Sequence, residues 1–162
     1  MGKRFDTERY GFGSYDDFFC LRPSWVLIAS LIYLCRSLVA VIAFGLGGDG
    51  AEMLLGRIVS TETLWAGCVA SIPALLVLYA VVARVPRAPA FVQRTWKHGQ
   101  ALVSLSALCH VAVAASRYTS NPRHWHASSL MERAVVLADL AIVAYVLLSS
   151  RVRQTFLEFP SA

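Results

Sequence analysis

The chain alternates between long apolar runs and short polar segments rich in arginine. Apolar runs lie at about 25–46, 64–83, 99–116 and 131–150. A bilayer core of about 30 Å needs about 20 apolar residues in a helix, and each run reaches or approaches that length. The pattern predicts an all-α fold: an integral membrane bundle of four transmembrane helices forming one membrane domain over 1–162. A polar N-terminal segment, 1–24, precedes the first span, and a tail, 151–162, follows the last. Between the second and third runs, "RVPRAPAFVQRTWKHG" carries Pro86 and Pro89, which end one helix and delay the next. From Ala90, a basic amphipathic turn with Phe91 and Trp96 is expected to lie on the membrane surface.

Polar residues interrupt the runs. At a rise of 1.5 Å per residue, Arg36 lies about 16 Å in from Trp25, His110 about 15 Å in from Gln100, and Asp139 about 12 Å in from Met131. All three fall in the middle third of a membrane and form the expected intramembrane polar cluster. Around Arg36, the helical neighbours Ala29, Tyr33, Ala40 and Ala43 are small or aromatic, which points this stripe toward protein. Leu27, Leu31, Leu34, Leu38 and Val41 make the opposite face, expected to meet lipid. His110 likewise shares a stripe with Gly99, Ser106 and Ala114. Asp139 does not, because Val135, Val136, Ile142 and Val143 surround it. A charge at the membrane centre costs about 2.5–3.5 kcal/mol on insertion scales. Arg36 and Asp139, at similar depth, are therefore expected to meet in a forked ion pair. In the second run, Ala66, Ala70 and Ala74, with Gly67 and Ser71 alongside, make a packing face. Pro73 removes the donor to the Val69 carbonyl and is expected to kink this span.

Composition fits the pattern. Hydrophobic residues make up 57% of the chain and charged residues only 15%, against about 25% charged in an average soluble domain. The net charge of +5 does not indicate nucleic acid, because the basic residues punctuate the ends of apolar runs rather than covering one face. Four Lys or Arg residues lie in 1–24, four in 84–97 and two in 151–153, ten in all; four lie in the alternate loops, and Arg36 is the fifteenth. Ten against four predicts both termini on the cytoplasmic side. Trp25, Trp65 and Trp96 fall near the expected interfaces, as an aromatic belt would. "AFG" at 43–45 resembles a signal-cleavage site, but the long, partly acidic segment before it and Arg36 within the run favour a retained span.

The chain offers little recognisable chemistry. "GLGGDG" at 45–50 matches a dinucleotide-binding spacing, but a membrane span precedes it in place of a strand, so a turn is expected. His124 and His126 in "HWH" fall short of the three or four ligands a metal site wants. A bis-histidine haem would need a second central histidine beside His110. Cys20, Cys35, Cys68 and Cys109 are widely spaced, without a CxxC pair. No metal and no cofactor are expected, and no GxSxG, HExxH or P-loop motif marks an enzyme.

Five stretches in order are "SYDDFFCLRPSW" (14–25), "LCRSL" around Arg36, "SIPALLVLYAVVARVPRAP" (71–89), "RTWKHG" (94–99) and "DLAIVAYVLLSSRVRQTFLEFP" (139–160). Together they resemble an uncharacterised bacterial inner-membrane family, a domain of unknown function with about four spans. The terminal motifs are YDxxxxLRP and TFxxFP. This resemblance implies the bacterial cytoplasmic membrane and no reaction. It draws attention to the two polar ends. Asp16, Asp17, Phe18 and Arg22 before the first span, and Phe156 and Phe159 after the last, are candidate partner-binding residues, or pack on each other as a cap. The expected function is a non-enzymatic accessory or scaffold subunit in the lipid bilayer that binds other membrane proteins or itself. The alternative is a small transporter or proton-relay component using Arg36, His110 and Asp139.

Overall fold

The computed structural model describes residues 20–47, 61–120 and 130–160. Among them the protein is all-α, with seven helices: α1 (Trp25–Leu34), α2 (Arg36–Gly47), α3 (Thr61–Val82), α4 (Ala90–Lys97), α5 (Gly99–Ser120), α6 (Leu130–Leu148) and α7 (Ser150–Leu157). Two helical stretches, Leu64–Val82 and Gly99–Ser116, are each long and apolar enough to cross a membrane; two bent pairs, α1 with α2 and α6 with α7, raise the number to four if each pair is one span. α5 packs between α3 and α6, and α1 lies against α3, α5 and α6.

The first apolar run is not one helix. α1 ends at Leu34, and the chain bends by 54° into α2. Cys35 sits at the break with φ −83° and ψ 6°, and its N–H reaches the Leu31 and Ile32 carbonyls. Neither proline nor glycine explains the bend. Side chains inserted into the ladder do: the Leu34 carbonyl accepts from Ser71 Oγ at 2.8 Å and from His110 Nε2 at 3.0 Å. The last run also stops early. α6 ends at Leu148, Ser149 Oγ caps the next helix through the Val152 N–H, and α7 departs at 65°. The tail expected beyond residue 150 is thus largely a helix, whose Val152, Thr155 and Phe156 are buried. Pro73 lies inside α3, which runs through it unbroken. Ser71 Oγ shares its single proton between the Leu34 carbonyl and the Gly67 carbonyl at 2.9 Å, and Ser106 Oγ donates to the Ala70 carbonyl at 2.6 Å, so side chains serve the main chain on either side of the Val69 carbonyl that Pro73 cannot reach.

The core corrects the face assigned to the first helix. Leu27, Leu31 and Leu34 are fully buried, whereas Ala29 and Ala43 are exposed. The leucines pack in one cluster with Ala74, Val77 and Ala80 of α3, so bulky side chains on one helix fill the space left by alanines on the other. The reading of small residues as the inward stripe failed because it assumed one helical phase through Cys35. On α3 the small-residue face does pack inward: Ala70, Ser71 and Ala74 are buried. α4 confirms the amphipathic turn, but Trp96 is 1% exposed and belongs to the core, unlike Trp25 and Trp65, which are 85% and 62% exposed.

A Cβ at Gly99 would overlap the Phe156 ring, which is itself buried under Trp96. Gly99 opens α5, so Gly99→Ala gains less than the about 1 kcal/mol of helix propensity that alanine brings to a helix interior, and it forces a locked ring to move, at about 1–3 kcal/mol. The expected net loss is about 1 kcal/mol in unfolding stability in detergent micelles, and Phe156→Leu in the same chain should shrink that loss.

Candidate functional site

The polar groups of the bundle interior collect at the α1–α2 break. Arg36 opens α2, and its guanidinium meets the carboxylate of Asp139 on α6 as a two-pronged pair, Nη1 to Oδ1 at 3.0 Å and Nη2 to Oδ2 at 2.9 Å. Both oxygens of Asp139 are occupied, and its side chain is 1% exposed, against 29% for Arg36. The Arg36 guanidinium carbon also lies 4.4 Å from the centroid of the Tyr33 ring. The Tyr33 hydroxyl donates toward the Val135 carbonyl at 3.4 Å. Tyr33 thus holds the cation from α1 while touching the helix that supplies the anion. The fork expected of these two residues is present, although the valines around Asp139 gave no sign of an inward face.

His110 does not join the ion pair. It works on the other side of the same break, where Nε2 faces the Leu34 carbonyl at 3.0 Å and Ser71 Oγ at 3.3 Å. A carbonyl only accepts, so Nε2 carries the proton. Successive carbonyls at the bend therefore have side-chain donors: Tyr33 receives Arg36 Nη1 at 3.4 Å, and Leu34 receives Ser71 and His110. An unsatisfied main-chain carbonyl in an apolar interior is costly, and these donors remove the cost. Chemically the arrangement braces a bent helix. Each Asp139 oxygen is engaged by Arg36, and the Ser71 hydroxyl and the His110 Nε2 beside it both point at the Leu34 carbonyl.

A second polar knot closes the end where α3, α4 and α7 meet; packing of the two terminal stretches as a cap was one of the two expectations for them, whereas the parts of Arg84 and Trp96 in it were not foreseen. Arg84, 7% exposed, donates from Nη1 to the Leu21 carbonyl at 3.0 Å and from Nη2 to the Glu158 carbonyl at 3.1 Å. Its guanidinium carbon lies 4.6 Å from the Trp96 ring centroid. Trp96 Nε1 donates to the carbonyls of Thr155 and Glu158 at 3.1 and 2.8 Å. The Glu158 carboxylate accepts the Leu21 N–H at 2.7 Å. The two ends of the described chain are thus tied through α3 and α4. The signal for it in the sequence is the pair of aromatic and charged terminal stretches; Arg84, one of the four basic residues of 84–97, reads there as a topology charge and Trp96 as a belt residue.

The candidate partner-binding residues separate accordingly. Phe156 is 4% exposed, with its ring centroid 5.0 Å from that of Trp96, so it is a core group rather than a free surface. Phe159 is half-buried and packs against the same core. Arg22 is exposed. Asp16, Asp17 and Phe18 lie outside the described residues, as do His124 and His126. Among the described residues, no group of three His, Cys, Asp or Glu side chains is arranged to hold a metal ion.

Fold and site together define a class: an all-helical protein with two to four helices apolar enough to cross a membrane, which pairs its central charges inside. Within that class the chain belongs to the family described as "Protein of unknown function (DUF2919)", whose sequence model matches residues 10–158. The expected kinship with an uncharacterised family holds at that level. No curated protein and no solved structure matches the chain.

The exposures of the two partners order the costs of breaking the fork. Arg36→Leu strands a fully buried carboxylate and is expected to cost about 3–5 kcal/mol, whereas Asp139→Leu leaves a cation that keeps part of its exposure and should cost less. Replacing both with Leu should recover most of the stability, read as unfolding midpoint and as abundance in the membrane fraction.

Proposed function

We propose that the protein is an integral membrane protein with four spans, α1–α2, α3, α5 and α6. Both termini face the cytoplasm, and its setting is the bacterial inner membrane. In this reading it acts as a non-enzymatic accessory or scaffold subunit that holds other membrane proteins or a second copy of itself. One observation carries the reading: the central polar groups are spent inside the chain. Arg36 and Asp139 occupy each other, and His110, Ser71 and Ser106 serve main-chain carbonyls. What remains to meet the surroundings is packing surface. On α6 that surface includes Ala134, Ala141 and Ala144, at spacings that keep them on one side of the helix, between the exposed Leu137, Leu140 and Leu147. Small residues on an outward helix face permit close approach of another helix.

The transport or relay alternative draws on the broken first span, since interrupted helices line binding sites in many transporters. It needs the ion pair to part or to pass a proton, whereas the fork holds both carboxylate oxygens.

Mild solubilisation at native expression, followed by crosslinking and affinity capture, should recover the protein with defined membrane partners or as a dimer. A clean monomer under those conditions would overturn the scaffold reading. The Arg36→Leu/Asp139→Leu chain should keep those partners; loss of function in that chain despite normal abundance would favour the relay instead.

A further inference from the structure

Charge is unevenly placed at the end of the bundle that carries Arg84. Among the acidic residues whose side chains are described, Asp139 and Glu158, each is hydrogen-bonded within the chain. Arg84 points inward, but four other cations of this end turn outward. Arg87, Arg94, Lys97 and Arg153 are exposed, and none of these four side chains has an ionic or hydrogen-bonding partner among the described residues. On α4, Val92, Thr95 and Trp96 occupy the buried arc, and Phe91, Arg94 and Lys97 share the exposed one.

The level of these cations is set by the fold. The apolar window of α3 ends at Val82 and that of α5 begins at Gly99, so α4 lies where the two apolar helices leave off. α7 likewise turns by 65° where the apolar part of α6 ends, and it packs against α4. Apolar side chains are exposed at the same level: Val82 is 81% exposed, Phe91 54% and Leu148 85%. An occupant of this surface has to neutralise several cations and, beside them, cover an apolar edge. An inorganic anion satisfies the first requirement only. A lipid with an anionic headgroup satisfies both, its phosphate on the cations and its upper acyl chain on Phe91 and Val82.

We propose that α4, with Arg87 before it and Arg153 of α7 beside it, is a binding surface for anionic phospholipid headgroups. The proposal rests on the membrane reading above. The basic residues in the last turn of α4 also favour its helix C-terminus, so one set of charges stabilises the short helix and recruits the lipid.

The full-length protein in bilayer discs of mixed phosphatidylcholine and phosphatidylglycerol tests this by mass spectrometry of the lipids it retains. At low salt the retained lipid should be enriched several-fold in phosphatidylglycerol over the disc. The enrichment should fall toward disc composition as salt rises, because exposed charges are screened within about 10 Å at 0.1 M ionic strength. The Arg87→Gln/Arg94→Gln/Lys97→Gln chain should lose the enrichment, while its thermal midpoint in pure phosphatidylcholine discs falls only slightly, by the charges lost from the C-terminus of α4. Equal enrichment in that chain, or salt-insensitive enrichment, would overturn the proposal; so would none in the unaltered protein. Displacement by inorganic phosphate at matched ionic strength would assign the surface to a soluble anion, and preference for an acidic peptide would assign it to protein; both overturn it. Because the salt series uses the unaltered chain, misfolding of the variant does not blunt the test. If alkaline carbonate strips the protein from membranes, the membrane reading fails first; if the protein stays but shows no enrichment, only this inference fails.

Discussion

The bend between α1 and α2 depends on one main-chain carbonyl. Leu34 C=O is taken by Ser71 of α3 and His110 of α5, so the helix that breaks at Cys35 is held by the two helices it packs on. Without those donors, a break at this position would leave an unpaired carbonyl in an apolar interior, which costs far more than straightening the helix would. The bend in turn starts α2 at Arg36, which forks onto Asp139 of α6. Three neighbouring elements thus fix the geometry of a single residue step. Because α1, α3, α5 and α6 all meet there, the ion pair and the carbonyl clamp act as one unit joining the four helices.

The opposite constraint operates at the Arg84 end. There Arg84 and Glu158 each bind peptide groups. Arg84 and Trp96 both donate to the Glu158 carbonyl, while the Glu158 carboxylate takes the Leu21 N–H. An arginine that is 7% exposed is tolerable only with such a set of acceptors and an aromatic face beside it. These contacts tie two segments far apart in sequence to the region of α3 and α4: the Leu21 N–H meets the Glu158 carboxylate.

What could be read from the sequence was what depends on composition and length. Apolar runs mark three of the four long helical tracts closely, and the proline pair at 86 and 89 marks the start of α4 at Ala90. The Arg36–Asp139 fork was legible because two opposite charges at one depth have few other ways to be tolerated. Face assignment was less legible. Phase counting carried through Cys35 put Leu27, Leu31 and Leu34 outside, whereas a break donated by residues 71 and 110 resets that phase, and no local signal in 25–46 announces donors so far along the chain. Trp96 shows the same limit. An aromatic at a run boundary reads as a belt residue, and only the presence of two carbonyl acceptors from α7 and its C-cap makes burial of its indole N–H affordable.

The way the interior charges are spent also constrains what the molecule can be asked to do. A transported ion or proton needs a group that exchanges partners at low cost. At Asp139 both oxygens would have to leave a guanidinium that is itself pinned over Tyr33. At His110 the protonated Nε2 would have to leave the carbonyl that keeps α1 bent. Moving either group therefore means straightening or re-bending the α1–α2 pair, not flipping a side chain. Such coupling suits a rigid brace. It would serve a gate only if a second packing of α1–α2 existed in which Leu34 found other donors, and in the present packing α3 and α5 supply the two donors it uses.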